Sequence, residues 1–127
     1  FGGEKKGGVF DFASSNELWR ASIEVLDFVS FTNASYSGGI LITDWFSGNT
    51  QSDLNNQREI KITVRFLSNE IRADGIKVVI HEKVCSDKSK LDCKINKVES
   101  SIGNDVKLAI LKKAALLKKQ SQQKTKK

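Results

Sequence analysis

The spacing of hydrophobic positions changes period along the chain, and each change marks an element. Leu18, Ser22, Val25 and Val29 fall on one helical stripe, with Trp19, Ile23 and Leu26 on the adjoining one. Ser14 and Glu17 form the Ser-x-x-Glu pattern in which each side chain satisfies a free amide of the first turn, so the helix is expected to start at Ser14. Arg20, Glu24 and Asp27 take its outer side, and Glu24 follows Arg20 by one turn for a weak surface pair. A polar loop at 33–37 leads to strand-like alternation over 40–46. Ile40, Ile42, Asp44 and Phe46 share one face there, and Leu41, Thr43 and Trp45 the other. Both faces are largely apolar, which predicts a central strand or one covered on both sides.

The cleanest alternation spans 60–67, with Ile60, Ile62, Val64 and Phe66 opposed to Lys61, Thr63, Arg65 and Leu67. Residues 68–70 can close a hairpin into a strand over 71–84, in which Gly75 is expected to mark a bulge and Ile76, Val78 and Ile80 set the apolar face. A fourth strand is expected at 94–98. The last helix opens near Gly103 and Asn104, with Asn104 as N-cap and Asp105 complementing the helix dipole. Val106, Ala109, Ile110, Lys113, Leu116 and Leu117 form its expected buried stripe. The predicted class is α+β, a four-stranded antiparallel sheet with two helices on one face in the order α-β-β-β-β-α.

Length and composition bound this picture. The 127 residues suit one domain, placed at 13–119 between a flexible glycine-rich leader (1–12) and a disordered basic tail (120–127). At 39% hydrophobic and 28% charged, the chain has no apolar run near the roughly 18 residues that a membrane span requires. It starts at Phe1 and contains no methionine, which fits either a cleaved leader or a chain trimmed to its ordered part. The net charge of +6 is concentrated late: eight lysines stand against one acid from residue 104 onward. That region has no arginine and no aromatic residue, so specific nucleic-acid reading is not expected. It can offer weak contact with an anionic membrane or RNA, or it is a solvated helix face.

Candidate chemistry is sparse. Cys85 and Cys93 flank a turn between antiparallel strands, where a disulfide is geometrically allowed; in a reducing compartment they would be thiols. Two cysteines and one histidine do not make a zinc site, and no metal or other cofactor is expected. His81 and Glu82 are adjacent in a strand, so they point to opposite faces and cannot act as an acid–base pair. Asp44, on a face with isoleucines and Phe46, needs a partner, for which Arg20 or Arg72 are the candidates. The pair is either structural or part of a binding site with Trp45. Trp19, Trp45, Phe46 and Phe66 are either core or the lining of a pocket between helix and sheet.

The segments LWRASIEVLDF, SGGILITDWFS, REIKITVRFL, EIRADGIKVVIHE and DVKLAILKKAALLKK, in that order, resemble the alphaproteobacterial family catalogued as domain of unknown function 3576. The resemblance covers nearly the whole chain and is most specific at residues 19–22, 42–45 and 72–74. It implies a periplasmic protein, membrane-anchored through a lipoprotein signal removed from its front. Cys85, Cys93 and the lysine-rich end depart from the family pattern. The element order is also similar to the helix-grip domains of the C-subunit lipoprotein of the outer-membrane barrel-assembly machinery, a likeness of topology alone. The expectation is a non-enzymatic envelope domain that binds protein partners, with outer-membrane assembly or maintenance as its candidate role; a small-ligand or lipid binder is the alternative. Oligomeric state is not legible in the sequence.

Overall fold

The computed structural model describes residues 16–47, 57–86 and 92–125. Helix α1 (Glu17–Val25) is followed by β1 (Phe31–Ser35), β2 (Ile40–Thr43) and the two-residue β3 (Phe46–Ser47). Then come β4 (Gln57–Phe66), a 3-10 turn at Ala73–Gly75, β5 (Ile76–Cys85), β6 (Cys93–Val98) and helix α2 (Ser101–Thr125). All pairings are antiparallel in the order β1-β2-β4-β5-β6, with β3 also paired to β4. The fold is α+β, but the sheet has six strands where the sequence predicted four.

One face of the sheet carries the core. Ile60, Ile62 and Val64 of β4 are buried; Ile62 stands opposite Ile80, and Val64 opposite both Val78 and Leu41. Leu18, Ala21 and Leu26 from α1 and its C-terminal end, and Ile110, Ala114 and Leu117 from α2, join the same cluster. Each fully buried Leu or Ile contributes about 1.5–3 kcal/mol relative to leaving it in water. Ser22 is tolerated among them because its hydroxyl donates to the Leu18 carbonyl at 2.8 Å. Lys113 of α2 pairs with Glu24 of α1 (3.5 Å), the partner that the sequence had assigned to Arg20.

The helix ends differ from expectation. Asn16 caps α1, its Oδ1 accepting from the Trp19 amide at 3.2 Å, and the helix stops at Val25 rather than continuing to Val29. Ser14 and the leader at 1–12 lie outside the described residues. Helix α2 starts at Ser101, where the Ser100 hydroxyl accepts from the Ile102 amide, and Asn104 lies inside the first turn. Its buried positions follow Ile110, Ala114 and Leu117, while Leu116 is exposed. It continues to Thr125, beyond the domain end expected at 119.

The strand expected over 40–46 is broken by a bulge. Ile42 pairs with Thr63, and Phe46 pairs with Ile60. Three residues on one strand (43–45) therefore face two on the other (61–62), and one residue too many reverses the alternation. Thr43 takes the inward position, fully buried; Asp44 lies at the surface; Phe46 turns inward, where Phe28 packs edge-on at 5.3 Å. The Thr43 hydroxyl accepts from the Ile62 amide at 3.0 Å and donates to the Asp44 carbonyl at 2.9 Å. A side chain thus replaces the ladder carbonyl that the bulge removes.

Two glycines fix the connections. Gly39 closes the β1–β2 hairpin with φ +66°, its amide donating to the Tyr36 carbonyl. Gly75 ends the 3-10 turn where an added Cβ would stand 2.6 Å from the Glu70 carbonyl oxygen. The connection from β4 to β5 is therefore a turn packed on its own backbone, and the bulge expected at Gly75 is not present: β5 begins at Ile76 and runs without a break.

Candidate functional site: the open face of the sheet

Opposite the core, the sheet turns a second face outward, and no helix among the described residues is part of it. Register decides what this face holds. Lys61, His81 and Lys97 stand side by side across β4, β5 and β6; Arg65 stands beside Lys77; Glu59 stands beside Lys83, which faces Ile95. Between these rows lie Thr63 and Val79, with Ile42 beyond Thr63 on β2. Like charges directly opposite one another destabilise a sheet. Only Lys83, among the described residues, has an acidic partner here, Glu59 at 3.3 Å. Among the described residues no carboxylate pairs with Lys61, Arg65, Lys77 or Lys97.

The bulge delivers Trp45 to this face. The Asp44 carboxylate accepts from the Trp45 amide at 2.8 Å and so fixes the turn. The indole then lies with the Lys61 ammonium 4.9 Å and the Lys83 ammonium 4.8 Å from its ring centroid. Each such cation–ring contact is worth about 0.5–1 kcal/mol at an exposed site. Trp45 is half-buried, and Ile95, at the edge of the same face, is 57% exposed.

Asp44 and its proposed arginine partners do not meet. Asp44 is exposed, and Arg72 pairs instead with Glu70 (2.9 Å) and Asp74 (2.8 Å) within its own turn. Arg20 is half-buried on α1 and makes no ion pair with Asp44. The physical reason is the facing of β2: Leu41 and Thr43 point to the core, so Ile42 and, two residues on, Asp44 lie on the other side, where no guanidinium is needed.

The aromatics expected to share one pocket also separate. Trp19 packs against Tyr36 (5.4 Å, edge-on) and Phe66 (5.5 Å) at the end of the sheet, while Trp45 lies on the open face and Phe46 in the core. Trp19, Tyr36 and Phe66 border a cleft of about 460 Å³ with Asn16, Ser68 and Asn69. Asn16 spans its rim, donating to Tyr36 Oη and Asn69 Oδ1 at 3.4 and 3.0 Å. Tyr36 carries no sequence signal, because its segment, 33–37, reads as polar loop.

At the far end of the sheet Cys85 and Cys93 stand opposite each other in register and form a disulfide, S–S 2.04 Å. Beside them, on the core side, Arg58 pairs with Glu82. Glu82 and His81 point to opposite sides of the sheet. Among the described residues no three of His, Cys, Asp or Glu are grouped so as to hold a metal ion, and no helix is long and apolar enough to cross a membrane.

A distant relative, an uncharacterised protein of Rickettsia prowazekii (strain Madrid E), is 28% identical over 97 residues, which cover 76% of this chain and 54% of that protein. The chain thus spans about half the length of the curated relative that it matches. The family model for "Domain of unknown function (DUF3576)" matches residues 12–119, which include both helices' core positions and every strand of the sheet, and the chain belongs to that family.

Proposed function

We propose that this domain is a non-enzymatic interaction module of the cell envelope, periplasmic and held at a membrane through an N-terminal lipid anchor, and that it works through the open face of its sheet. The observation that carries the reading is the set of cations across β4, β5 and β6, Lys61, Arg65, Lys77 and Lys97, that have no carboxylate partner among the described residues; Arg65 and Lys77 stand directly opposite each other, an arrangement that costs stability and that an anionic partner would relieve. The resemblance to helix-grip domains supports the same reading, since both helices pack on one side and leave the other free. A contribution to outer-membrane assembly or maintenance is part of the proposal by analogy of topology alone.

The test is photo-crosslinking in cells that make the protein with its native leader. A benzophenone side chain at Ile42, Thr63 or Val79 is expected to join envelope material, and one at Leu108 or Lys112 is not. Crosslinks that arise from α2 and not from the sheet would overturn the reading.

One observation favours a second reading, a small-ligand site. The cleft beside Trp19, Tyr36 and Phe66 joins aromatic faces to amide side chains, a combination suited to an uncharged polar ligand. Trp19→Phe would then abolish ligand-dependent fluorescence changes and leave open-face crosslinking intact.

A further inference from the structure

The open face carries more information than its charge. Its cations do not follow one line along a groove. They spread over three adjacent strands: Lys61 and Arg65 on β4, Lys77 on β5 and Lys97 on β6, while Lys83 of β5 is ion-paired with Glu59 on the same face. Strand geometry sets Arg65 and Lys77 about 4.8 Å apart across the sheet, Lys61 and Lys97 about 10 Å apart with His81 between them, and Lys61 and Arg65 about 13 Å apart along β4. This is a two-dimensional array, complementary to a surface of anions more than to a single extended chain.

The uncharged residues of the face point the same way. Trp45 lies between the array and the bulge, with Lys61 and Lys83 held against its ring, and Ile42, Val79 and Ile95 supply exposed or half-exposed aliphatic surface. Lysines that extend past an indole and aliphatic side chains present charge at headgroup level while the apolar parts sit just below it. A nucleic-acid platform would need free ring faces for stacking bases. Here the one indole of the face is already occupied by ammonium groups.

We infer that the open sheet face docks on the headgroups of an anionic phospholipid membrane, and that the contact is made by this face and not by the lysine-rich helix α2. The inference rests on the reading of the open face as the working surface and names its occupant. Helix α2 packs on the opposite side of the sheet, so its Lys112 and Lys118 cannot reach a planar membrane touched by Lys61 and Lys97.

The experiment uses the purified full chain and two sets of vesicles, phosphatidylcholine alone and phosphatidylcholine with phosphatidylglycerol in equal parts, with co-sedimentation as the measure. Binding is expected only to the anionic vesicles and is expected to vanish in high salt. Because each basic residue near an anionic surface contributes about fivefold to partitioning, the double variant Lys61→Glu with Lys97→Glu should lose at least about 25-fold. The charge-matched control, Lys112→Glu with Lys118→Glu, should bind nearly as the parent does. If the sheet variant folds poorly, Lys97→Gln alone still predicts a loss of about fivefold.

Equal losses from the two double variants would reduce the effect to net charge and overturn the inference. So would equal binding to neutral vesicles, or binding to an acidic peptide or polyuridylate with none to vesicles. Open-face crosslinks in cells without vesicle binding would overturn the lipid assignment and leave the interaction face standing. Loss of both would remove the two together.

Discussion

Thr43→Val removes one oxygen atom from the point where β2 breaks. The Thr43 side chain is fully buried, and its hydroxyl is the acceptor for the Ile62 amide, itself in the centre of the core strand β4. Valine matches the shape but leaves that N–H without a partner, at a cost of about 1–3 kcal/mol. The added methyl returns up to about 0.8 kcal/mol of burial, so the net loss should be about 1–2 kcal/mol. For a domain of this size that is a fall in Tm of roughly 4–8 °C. Thr43→Ser also costs about 1 kcal/mol, through its missing methyl, but keeps the acceptor. Tm alone does not separate the two variants; amide hydrogen exchange does. Ile62 N–H should lose protection selectively in the valine variant and keep it, relative to its neighbours, in the serine variant. A valine variant as stable as the parent, with Ile62 still protected, would refute the role given to the hydroxyl in holding the bulge.

Other substitutions test neighbouring parts of the structure. Asp44→Asn should change stability by less than about 0.5 kcal/mol in thermal unfolding, because the residue is exposed and an asparagine oxygen can still accept from the Trp45 amide; a large loss would restore a buried role. Gly75→Ala should destabilise by about 1–3 kcal/mol in denaturant titration, since its Cβ meets a backbone oxygen that cannot swing away. Reducing the Cys85–Cys93 bridge should lower stability by about 2.5 kcal/mol, the value for constraining a loop this short in the unfolded chain. Two titratable thiols in denatured, non-reduced protein recovered from an oxidising compartment would show that the bridge does not form.

What could be read in the sequence was the regular part. The alternation of Ile60, Ile62 and Val64 identified β4 and its buried side, because a strand covered on one face advertises itself with period two. Residues 31–35, Phe-Thr-Asn-Ala-Ser, gave no such signal: β1 is an edge strand whose middle three residues are exposed, so its polar composition matched that of a loop. The bulge at 43–45 was invisible for a different reason. One extra residue changes no local preference, and only the pairing partners Thr63 and Ile60 reveal it. The bulge hid the positions of Trp45 and Phe46, and Asp44 reads as inward only when the face of Ile40 and Ile42, not that of Leu41 and Thr43, is assigned to the core. Lys61 and Arg65 were legible as one polar face, but the basic array was not, since Lys77 and Lys97 join it only through the register of three strands.

The order of the strands also bears on how the chain acquires its structure during synthesis. Neighbours in the sheet are successive or nearly so in sequence, so pairing from β1 to β6 closes only short loops and can proceed as the chain emerges. The two helices are the exception, for α1 packs against α2 from the other end of the chain. Until Ile110, Ala114 and Leu117 have left the ribosome, Leu18 and the inward side of β4 lack the cover that α2 supplies. The growing protein therefore carries a partly uncovered apolar sheet until its last helix arrives, and a chain stopped before Ile110 is expected to aggregate or to require a chaperone, however complete its strands.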